Sequence, residues 1–216
     1  MEYQTVSLES ADGVGRLTLN RPDKRNALSR AMRDEIVRAL DELEADAGVR
    51  AVILVAQGPG FCAGFDRSEL AQGRMEDVFA EADAYHRRVY RFAKPIVAAI
   101  RGPCLGGGCD LAAMCDVRIA DTTAVFGQPQ VRFGAPALYD LMRTLVGEGV
   151  AREMCLTGRS YDAREALAAG LVNRVVEPPE LDGAATETAR SIATLPPGLA
   201  EGIKRRFVAA QPVLFE

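Results

Sequence analysis

Short apolar runs alternate with helix-like periodic stretches along this chain. Ala51–Ala56 and Ile96–Ile100 contain no polar residue, which is typical of strands buried on both faces of a sheet. Ser29, a good helix-capping residue, precedes a stretch that ends near Gly48 and has apolar residues at helical spacing, namely Met32, Ile36, Leu40, Leu43 and Ala47. Strands and helices in alternation predict a layered α/β protein with largely buried strands.

The same pattern predicts further elements on both sides of these runs. Asp12-Gly13 is a hairpin-type turn between two strands, about Tyr3–Ser10 and Val14–Leu19. A mixed, mostly helical stretch extends to Phe92. Beyond it, the pattern predicts a strand at Val117–Ala120, helices at Leu138–Val146, Ala151–Leu156 and Ala163–Ala168, a strand at Val172–Val176 and a helix at Gly183–Leu195.

Two glycine turns follow the two buried apolar runs. Gly58-Pro59-Gly60 comes after the first run, and Gly106-Gly107-Gly108 comes a few residues after the second, ahead of apolar positions that suit a helix. Backbone N–H groups at the start of a helix have no partner within the helix, and glycine lets a ligand approach them closely. Such a turn stabilises negative charge, either on a phosphate or on an oxyanion that develops during a reaction.

Three interpretations of the glycine turns are open. Gly58–Ala63 formally matches the G-x-G-x-x-[GA] fingerprint of dinucleotide-binding proteins. That fingerprint requires a second strand ending in Asp or Glu, and the corresponding window, Met75–Asp83, has a helical pattern that disfavours it. The turns can also be purely structural. In the third interpretation, one N–H group from each turn converges on a single oxygen atom and forms an oxyanion hole.

Composition and charge exclude several classes of function. The 216 residues are 48% hydrophobic and 26% charged, which suits a soluble globular α/β protein. The net charge of −4 argues against a nucleic-acid-binding surface, which is normally basic. No apolar segment approaches membrane-spanning length, and the N-terminus lacks a signal-peptide pattern. We therefore expect neither a nucleic-acid partner nor a membrane partner.

Cysteine and histidine usage adds no metal or redox signal. The five cysteines are an odd number without a CxxC pair, so neither a disulfide framework nor a zinc site is indicated. We expect reduced core cysteines in a cytoplasmic protein. The single histidine, His86, lies among charged residues and is expected at the surface rather than as a ligand.

Five segments, in order along the chain, together resemble the crotonase, or enoyl-CoA hydratase/isomerase, superfamily. One such segment would be a weak signal, but five at family-like spacing are highly specific. The likeness covers about residues 5–205. The segments are Arg21–Leu28, Phe61–Asp66, Leu105–Asp110, Phe126–Pro129, and Leu156–Arg159 with the following Ala163–Val176.

The resemblance implies a fold, a substrate class and an assembly. It implies a spiral of repeated ββα units in residues 1–178 and a C-terminal helical segment in residues 179–216, shorter than in relatives. It also implies acyl-coenzyme A thioester substrates, no permanently bound cofactor or metal, and a homotrimer or hexamer. The acyl group would be selected by the divergent segments Gly73–Arg91 and Gly134–Val146. The apolar end of the chain indicates either truncation or a differently closed pocket.

The resemblance also assigns roles to particular residues. Phe65 and Gly107 correspond to donors whose backbone N–H groups bind the thioester oxygen. The stretch expected to line the adenine end of coenzyme A contains Ala63, Asp66, Arg67 and Ser68, and the loop expected to contact pantetheine and phosphate contains Arg25 and Asn26. Independently of the family, an enolate oxygen in a dry pocket needs preorganised donors, each lowering the barrier by about 3–4 kcal/mol.

Two positions depart from the family's hydratases, which carry two glutamates that position a water and transfer protons. Asp110 corresponds to the first glutamate and keeps a carboxylate on a shorter stem. Gln130 corresponds to the second and can hydrogen-bond a water, but it cannot give or take a proton at ordinary pH. Because one acid–base partner contributes about 10²–10⁴-fold to a rate, ordinary hydratase activity is expected to be weakened.

Three functions are therefore compatible with the sequence. The first is a hydratase-type lyase or double-bond isomerase, because one base, Asp110, can move a proton between carbons, with Asp140 as a second group able to reach the acyl chain. The second is a decarboxylase of malonyl-type thioesters. Such enzymes lack the second glutamate and carry a Gly-x-Pro segment with a nearby tyrosine, comparable to Gly134–Pro136 and Tyr139. The third is a catalytically weak acyl-CoA-binding or interaction protein.

Overall fold

The chain folds into short strands and helices whose order follows the predicted alternation. The structure, a computed structural model, describes residues 3–72 and 75–211. The strands in that part are β1 (Val6–Ala11), β2 (Val14–Leu19), β3 (Ala51–Ala56), β4 (Ile96–Ile100), β5 (Pro103–Leu105), β6 (Val117–Asp121), β7 (Val125–Gly127), β8 (Ser160–Asp162) and β9 (Arg174–Val176). The helices are α1 (Arg30–Ala45), α2 (Arg67–Gln72), α3 (Met75–Tyr90), α4 (Gly107–Ala113), α5 (Tyr139–Thr157), α6 (Ala163–Ala168), α7 (Leu181–Ala193) and α8 (Leu199–Ala209).

The strands form two sheets. The larger sheet has the order β1-β2-β3-β4-β6-β9, in which β1 and β2 are antiparallel and the other neighbouring pairs are parallel. The smaller sheet has the order β5-β7-β8. Strands β4 and β6 lie in the larger sheet, whereas β5 and β7, which follow them, lie in the smaller one, and a helix comes next each time. This repetition is the predicted spiral of ββα units, and the predicted α/β class is confirmed.

Helices cover both faces of the larger sheet, which explains its unbroken apolar runs. One face packs against α1 through buried residues that include Leu17, Leu54, Ile36 and Leu40. The opposite face packs against α7 through buried residues that include Ile53, Val97, Ala185 and Ala189. Since successive strand residues point to opposite faces, neighbours such as Ile53 and Leu54 serve different cores.

Two local predictions are confirmed in detail. Asp12 and Gly13 have positive φ angles of 52° and 80°, as a two-residue hairpin turn requires, and Ala11 pairs with Val14 across the turn. The Ser29 hydroxyl accepts a hydrogen bond of 3.2 Å from the N–H group at the third position of α1, so it caps that helix as expected.

Both glycine turns lie at one edge of the larger sheet. Strands β3 and β4 are parallel neighbours, so their carboxyl ends lie at the same edge. The chain leaves β3 directly into the first turn and reaches the second turn from β4 through β5. The N–H group of Cys62 donates to Pro103 at 3.0 Å, and that of Leu105 donates to Cys62 at 2.9 Å, which ties the two segments together. Ligands of α/β proteins commonly bind at such an edge.

Several elements differ from the predicted ones. The sequence pattern does not indicate β5, β7 and β8, because strands of three residues have no detectable periodicity. Helix α5 replaces two predicted helices and carries a non-helical residue, Gly147, with φ of 73° where the two would have been separated. Helix α8 follows the predicted last helix, and its Gly202 together with interleaved charges hides its apolar stripe in the sequence.

Two stretches with sequence predictions lie outside the described residues. They are residues 73–74, in one segment expected to form the acyl pocket, and residues 212–216, the apolar end of the chain. The division into residues 1–178 and 179–216 stays a prediction. Across residues 3–72 and 75–211, no helix is both long and apolar enough to cross a membrane.

Candidate active site

Gly64, in the segment that follows the first glycine turn, closely approaches the backbone of the second turn. Gly64 has φ of 97°, and a Cβ atom on it would lie 3.3 Å from the nitrogen of Gly107 and 2.9 Å from the carbonyl oxygen of Leu105. Gly106 has a positive φ of 51°, which L-residues rarely adopt. Glycine is therefore required here both for backbone conformation and for the close approach of the two segments.

The predicted oxyanion-hole donors, Phe65 and Gly107, belong to these touching segments. The N–H group of Leu28 donates to Gly64 at 2.8 Å and that of Asp66 donates to Leu28 at 3.2 Å, so the N–H group of Phe65 points away from Leu28. Gly107 begins α4, where N–H groups have no partner within the helix. In the described part of the chain, neither N–H group has an acceptor. The arrangement suits two donors for one oxygen atom.

A chain of three side chains runs from Asp110 to the second glycine turn. Asp110 is 3% exposed and follows Gly107 on α4. The Nε2 atom of Gln128 donates to Oδ1 of Asp110 at 2.7 Å, and Nε2 of Gln130 donates to Oε1 of Gln128 at 2.5 Å. The Oε1 atom of Gln130 is buried without a hydrogen-bond partner in the described structure and lies beside Gly106, 3.3 Å from where a Cβ would stand. The two sequence-predicted residues Asp110 and Gln130 are thus joined through Gln128.

Asp110 is the titrating group of this chain of side chains. Burial raises the pKa of its carboxyl group from 3.8 to about 7, and the hydrogen bond from Gln128 acts in the opposite direction. A group with a pKa near neutral pH exchanges a proton readily in both directions, which is the requirement for general acid–base catalysis. The two glutamines stay neutral, so they hold and orient without taking up a proton.

Gln128 was not among the residues singled out from the sequence, although its segment was. It is completely buried and follows β7 within Phe126–Pro129, one of the five family-like segments. The available signal was a glutamine beside a proline at the end of an apolar stretch. Its two partners are supplied by α4 and by the turn at Pro129–Phe133, and their proximity depends on tertiary pairing.

The loop that contains Arg25 and Asn26 is held by the side chain of Asn26. That side chain donates to the carbonyl oxygens of Gln57 at 2.9 Å and Gly60 at 3.0 Å, and it accepts from the N–H group of Arg21 at 2.8 Å. Asn26 is fully buried, so its side chain fixes the loop shape rather than offering groups to a ligand. Arg25 is exposed and has φ of 52°.

Asp66 is likewise engaged within the protein. Its carboxylate accepts hydrogen bonds from the Arg21 guanidinium at 3.1 and 3.2 Å and from the Ser68 hydroxyl at 2.6 Å. Burial opposes ionisation, but the hydrogen bonds from Ser68 and Arg21 outweigh it and hold the pKa of Asp66 below its usual value. Ala63 is half-buried and donates to Arg25 at 3.0 Å, which links the two stretches expected to contact coenzyme A.

Tyr139 and Asp140 are the first two residues of α5. Tyr139 is half-buried against the core. The Asp140 side chain is 60% exposed and pairs with Arg143 at 3.0 Å. None of the described hydrogen bonds joins either residue to Asp110, Gln128 or Gln130.

The side chain of Phe65 is enclosed by two residues that the sequence did not suggest. The guanidinium carbon of Arg33 lies 5.1 Å from the ring centre of Phe65, and the His86 ring meets the same ring edge-on at 5.9 Å. His86 is 4% exposed, so the expected surface position is wrong. Burial, and secondarily the charge of Arg33, lower the pKa of His86 to about 4, which keeps it neutral. The helical spacing of Ala82, Tyr85, His86 and Val89 was the available signal.

Four of the five cysteines are buried packing residues. Cys62, Cys104, Cys109 and Cys115 are buried, and the Cys62 thiol donates to the carbonyl oxygen of Asn26 at 3.0 Å. Burial raises the pKa values of Cys62 and Cys115 to about 12 and that of Cys104 well above its usual value. Across the described residues, no three His, Cys, Asp or Glu side chains are grouped so as to hold a metal ion.

Comparison with known protein sequences finds likeness along nearly the whole chain. The family model described as enoyl-CoA hydratase/isomerase matches residues 9–212. The short-chain-enoyl-CoA hydratase of Clostridium acetobutylicum is 40% identical over 206 residues, which cover 91% of this chain and 78% of that protein. Sequence likeness of this extent includes both glycine turns and the Asp110 segment.

Solved structures extend the likeness to the fold. An enoyl-CoA hydratase/isomerase from Xanthobacter autotrophicus Py2 matches with a TM-score of 0.91 and 40% identity, over 98% of this chain and 81% of that one. An enoyl-CoA hydratase subunit from Geobacillus kaustophilus HTA426 matches with a TM-score of 0.93 and 33% identity, over 98% of this chain and 84% of that one. The arrangement of strands and helices is therefore shared with these proteins.

Proposed function

The chain belongs to the enoyl-CoA hydratase/isomerase family, and from that membership we propose that its glycine turns stabilise a thioester enolate while Asp110 moves the proton. The protein is an enoyl-CoA hydratase-like enzyme of acyl-CoA thioesters with the crotonase fold. In the proposal, the N–H groups of Phe65 and Gly107 donate to the thioester oxygen. As negative charge moves onto that oxygen, each donor lowers the barrier by about 3–4 kcal/mol.

The observation that carries the proposal is the buried carboxyl group of Asp110 on α4, the helix that begins with Gly107. In double-bond isomerisation, the carboxylate takes a proton from a carbon next to the thioester or to its double bond, and the electron pair moves into the enolate. The resulting carboxylic acid then returns the proton to another carbon of the conjugated system. One group with a pKa of about 7 suffices for both steps.

Hydration of a 2-enoyl thioester makes a larger demand on the same residue. Water adds to the carbon distal to the thioester, the electrons of the double bond pass into the enolate, and the water loses a proton. Gln130 accepts a hydrogen bond from the water through its unpartnered Oε1 atom. Because Gln130 transfers no proton, Asp110 has to take the proton from water and protonate the enolate. Hydration is therefore proposed to be slower than isomerisation.

Decarboxylation of a malonyl-type thioester is the second candidate, favoured by the neutrality of Gln130. In that reaction the bond between the carboxylate carbon and the adjacent carbon breaks, carbon dioxide leaves, and the electron pair enters the enolate. A proton from Asp110 or from water then completes the product. Stabilisation of the enolate by the oxyanion hole lowers most of the barrier, so a second acid–base residue is dispensable. Tyr139 and Gly134–Pro136 would border the departing group.

One experiment separates these candidates. The protein is incubated separately with crotonyl-CoA, a 3-enoyl-CoA and malonyl-CoA, and products are followed by mass spectrometry. Double-bond migration that exceeds hydration supports the proposal. Turnover of the malonyl thioester alone moves the function to decarboxylase. Binding of the thioesters without turnover of any of them identifies a catalytically weak acyl-CoA-binding protein and overturns the proposal.

We also propose that the protein acts as a homotrimer or hexamer in the cytoplasm, with coenzyme A as part of the substrate and no resident cofactor. Support for assembly comes from α8, where Leu199, Ile203 and Phe207 repeat every four residues and are 45%, 52% and 46% exposed. Single apolar side chains are common on surfaces, but a stripe of this kind suits an interface. Light scattering on the purified protein measures the number of subunits.

A further inference from the structure

A charged residue occupies a core position of helix α1. Arg33 is 3% exposed and shares a helix face with Ile36 and Leu40, three and seven positions further on, both of which are buried. Residues at this spacing normally form the apolar, core-facing side of a helix. Burying a guanidinium away from water costs free energy unless the group is paired and hydrogen-bonded. The contacts of Arg33 show what holds the charge there.

The polar partners of Arg33 lie in and around the segment that carries the first proposed oxyanion-hole donor. Its Nη1 atom donates to the carbonyl oxygen of Leu28 at 2.9 Å. The same oxygen accepts a hydrogen bond of 3.2 Å from the N–H group of Asp66, so Arg33 supports the pairing of that segment with Leu28. Carboxylate oxygens of Glu69 and Glu81 lie 3.7 and 3.6 Å from the guanidinium nitrogens and balance the buried charge.

The aromatic partner of Arg33 is the side chain of Phe65 itself. The guanidinium carbon lies 5.1 Å from the centre of that ring, within the range of an attractive cation–π contact. A Cβ atom on Gly107 would lie 2.7 Å from two carbon atoms of the same ring, so the ring packs directly against this glycine. The Phe65 ring therefore contacts both Arg33 and the residue that supplies the second proposed donor.

We propose that Arg33 is a positioning residue for the oxyanion hole, which holds the Phe65 ring against Gly107 and, through Leu28, the Phe65 backbone. The inference rests on the proposed function, in which the N–H groups of Phe65 and Gly107 bind the thioester oxygen, and it assigns a role to a residue outside both glycine turns. A ring anchored in this way keeps the two N–H groups at a fixed separation. Donors that are in place beforehand need no reorganisation as negative charge develops.

Loss of this positioning predicts a lower kcat with an unchanged KM. Charge on the thioester oxygen is largest in the transition state, so misplaced donors weaken the transition state more than the bound substrate. Arg33→Met keeps an unbranched side chain but removes the guanidinium. Its kcat for a 3-enoyl-CoA is expected to fall about tenfold, a part of the roughly 10²–10³-fold that removal of a whole donor costs. Arg33→Lys, which keeps the charge without the planar group, is expected to lie between wild type and Arg33→Met.

Infrared spectroscopy separates positioning from a merely structural role. The probe is butyryl-CoA with an isotope label at its carbonyl carbon, a saturated thioester without a double bond to hydrate or move, bound at saturation. Hydrogen bonds to the carbonyl oxygen lower its stretching frequency, so binding to wild type is expected to lower this frequency. The lowering is expected to be smaller in Arg33→Met, because its donors are less well placed.

A double-mutant cycle tests whether Arg33 acts through the ring. Phe65→Leu keeps the backbone N–H group but removes the ring, so Arg33→Met is expected to cost less kcat in that background than in wild type. Arg38→Met is the matched control without effect on kcat, because Arg38 lies on the same helix but over the ring of Tyr3, at 5.6 Å. Circular dichroism checks that each variant is folded.

The outcomes keep this inference distinct from the proposed function. With an active wild type, an unchanged kcat and an unchanged carbonyl frequency in Arg33→Met overturn the inference and leave the proposed function standing. An equal loss of kcat with and without the Phe65 ring also overturns it, because Arg33 then acts independently of the ring. If Arg33→Met does not fold, Arg33→Lys replaces it and the same outcomes decide. A wild type that neither lowers the carbonyl frequency nor turns over any thioester overturns the proposed function.

Discussion

Gln128 donates a hydrogen bond of 2.7 Å to Asp110, and this contact fixes the carboxyl group at the end of a neutral chain of two amides. The other end of the chain is the Oε1 atom of Gln130, beside Gly106. A titrating group and a neutral acceptor therefore border the same backbone turn. The site thus combines one titrating carboxyl group with one neutral amide, whereas a site with two carboxylates has two groups that can transfer protons.

Removing the carboxylate at position 110 is expected to abolish most turnover. In Asp110→Asn the side chain keeps its size and its place but cannot accept a proton, so kcat falls by about 10²–10⁴-fold. The measurement is steady-state turnover of a 3-enoyl-CoA, with circular dichroism as a check on folding. Asp182→Asn, at an exposed ion pair with Arg16, is the control. Equal activity in Asp110→Asn and wild type would sink the role given to Asp110.

Stability is expected to depend on pH through the same residue. The pKa of the Asp110 carboxyl group is about 7 in the folded protein, whereas in the unfolded chain, where the group is not buried, it has its ordinary value of 3.8. Below pH 3.8 the carboxyl group is protonated in both the folded and the unfolded state. Between pH 3.8 and about 7 it is ionised in the unfolded chain but still protonated in the folded protein. The free energy of unfolding of wild type, relative to Asp110→Asn, therefore falls as pH rises from about 4 to about 7, by up to about 1.4 kcal/mol per pH unit. Urea titrations at several pH values measure this difference, and a pH-independent difference contradicts it.

Loss of the Gln128 donor is expected to move the pH dependence of the rate. Its hydrogen bond lowers the pKa of Asp110, so Gln128→Met raises that pKa and shifts the rise of kcat/KM to higher pH. The pH profile for isomerisation of a 3-enoyl-CoA is the measurement. A purely structural role for Gln128 would reduce the rate at every pH without moving the midpoint.

A second carboxylate is expected to favour hydration. Gln130→Glu supplies a proton-transferring group at the open end of the chain, so hydration of crotonyl-CoA rises by about 10²-fold or more. The absorbance of the conjugated thioester reports the reaction. The double variant Asp110→Asn with Gln130→Glu shows whether both groups are used. If the Gln130→Glu protein hydrates crotonyl-CoA no faster than wild type, the missing second carboxylate is not what limits the rate of hydration.

The close approach of Gly64 to the second glycine turn makes this residue sensitive to a single added methyl group. Gly64→Ala places a Cβ 2.9 Å from the carbonyl oxygen of Leu105 at a φ of 97°. The Phe65 N–H group is displaced as a result, and kcat falls by about 10²-fold or more, as for loss of one oxyanion donor. Gly183→Ala is the matched control, because nothing lies within 4 Å of the added atom on α7. It keeps its activity and gains roughly 0.5–1 kcal/mol of stability.

The parts of the fold that follow from short-range patterns were predictable from the sequence. The apolar runs of β3 and β4, the Asp12-Gly13 turn and the Ser29 cap need no knowledge of distant residues, and each is where the pattern predicts it. Strands such as β7 are different. Three residues become a strand because partners from other parts of the chain lie on either side, and sequence periodicity does not contain that information.

In the candidate site, too, some residues could be predicted from the sequence and others depend on tertiary structure. Asp110 and Gln130 were identified because they stand at recognisable positions in ordered motifs. Gln128 could not be given a role, since its partners are set by the packing of α4 against the segment after β7.

The buried cysteines have a chemical consequence for an enzyme of this family. An enoyl thioester has two electrophilic positions, its carbonyl carbon and its conjugated double bond. A nearby thiolate would attack either of them. Burial keeps Cys62, Cys104 and Cys115 in the thiol form, and the pKa of the half-buried Cys155 is raised to about 11. Thiols are far poorer nucleophiles than thiolates. The protein can therefore bind a reactive acyl group without being alkylated or acylated at these cysteines by its own substrate.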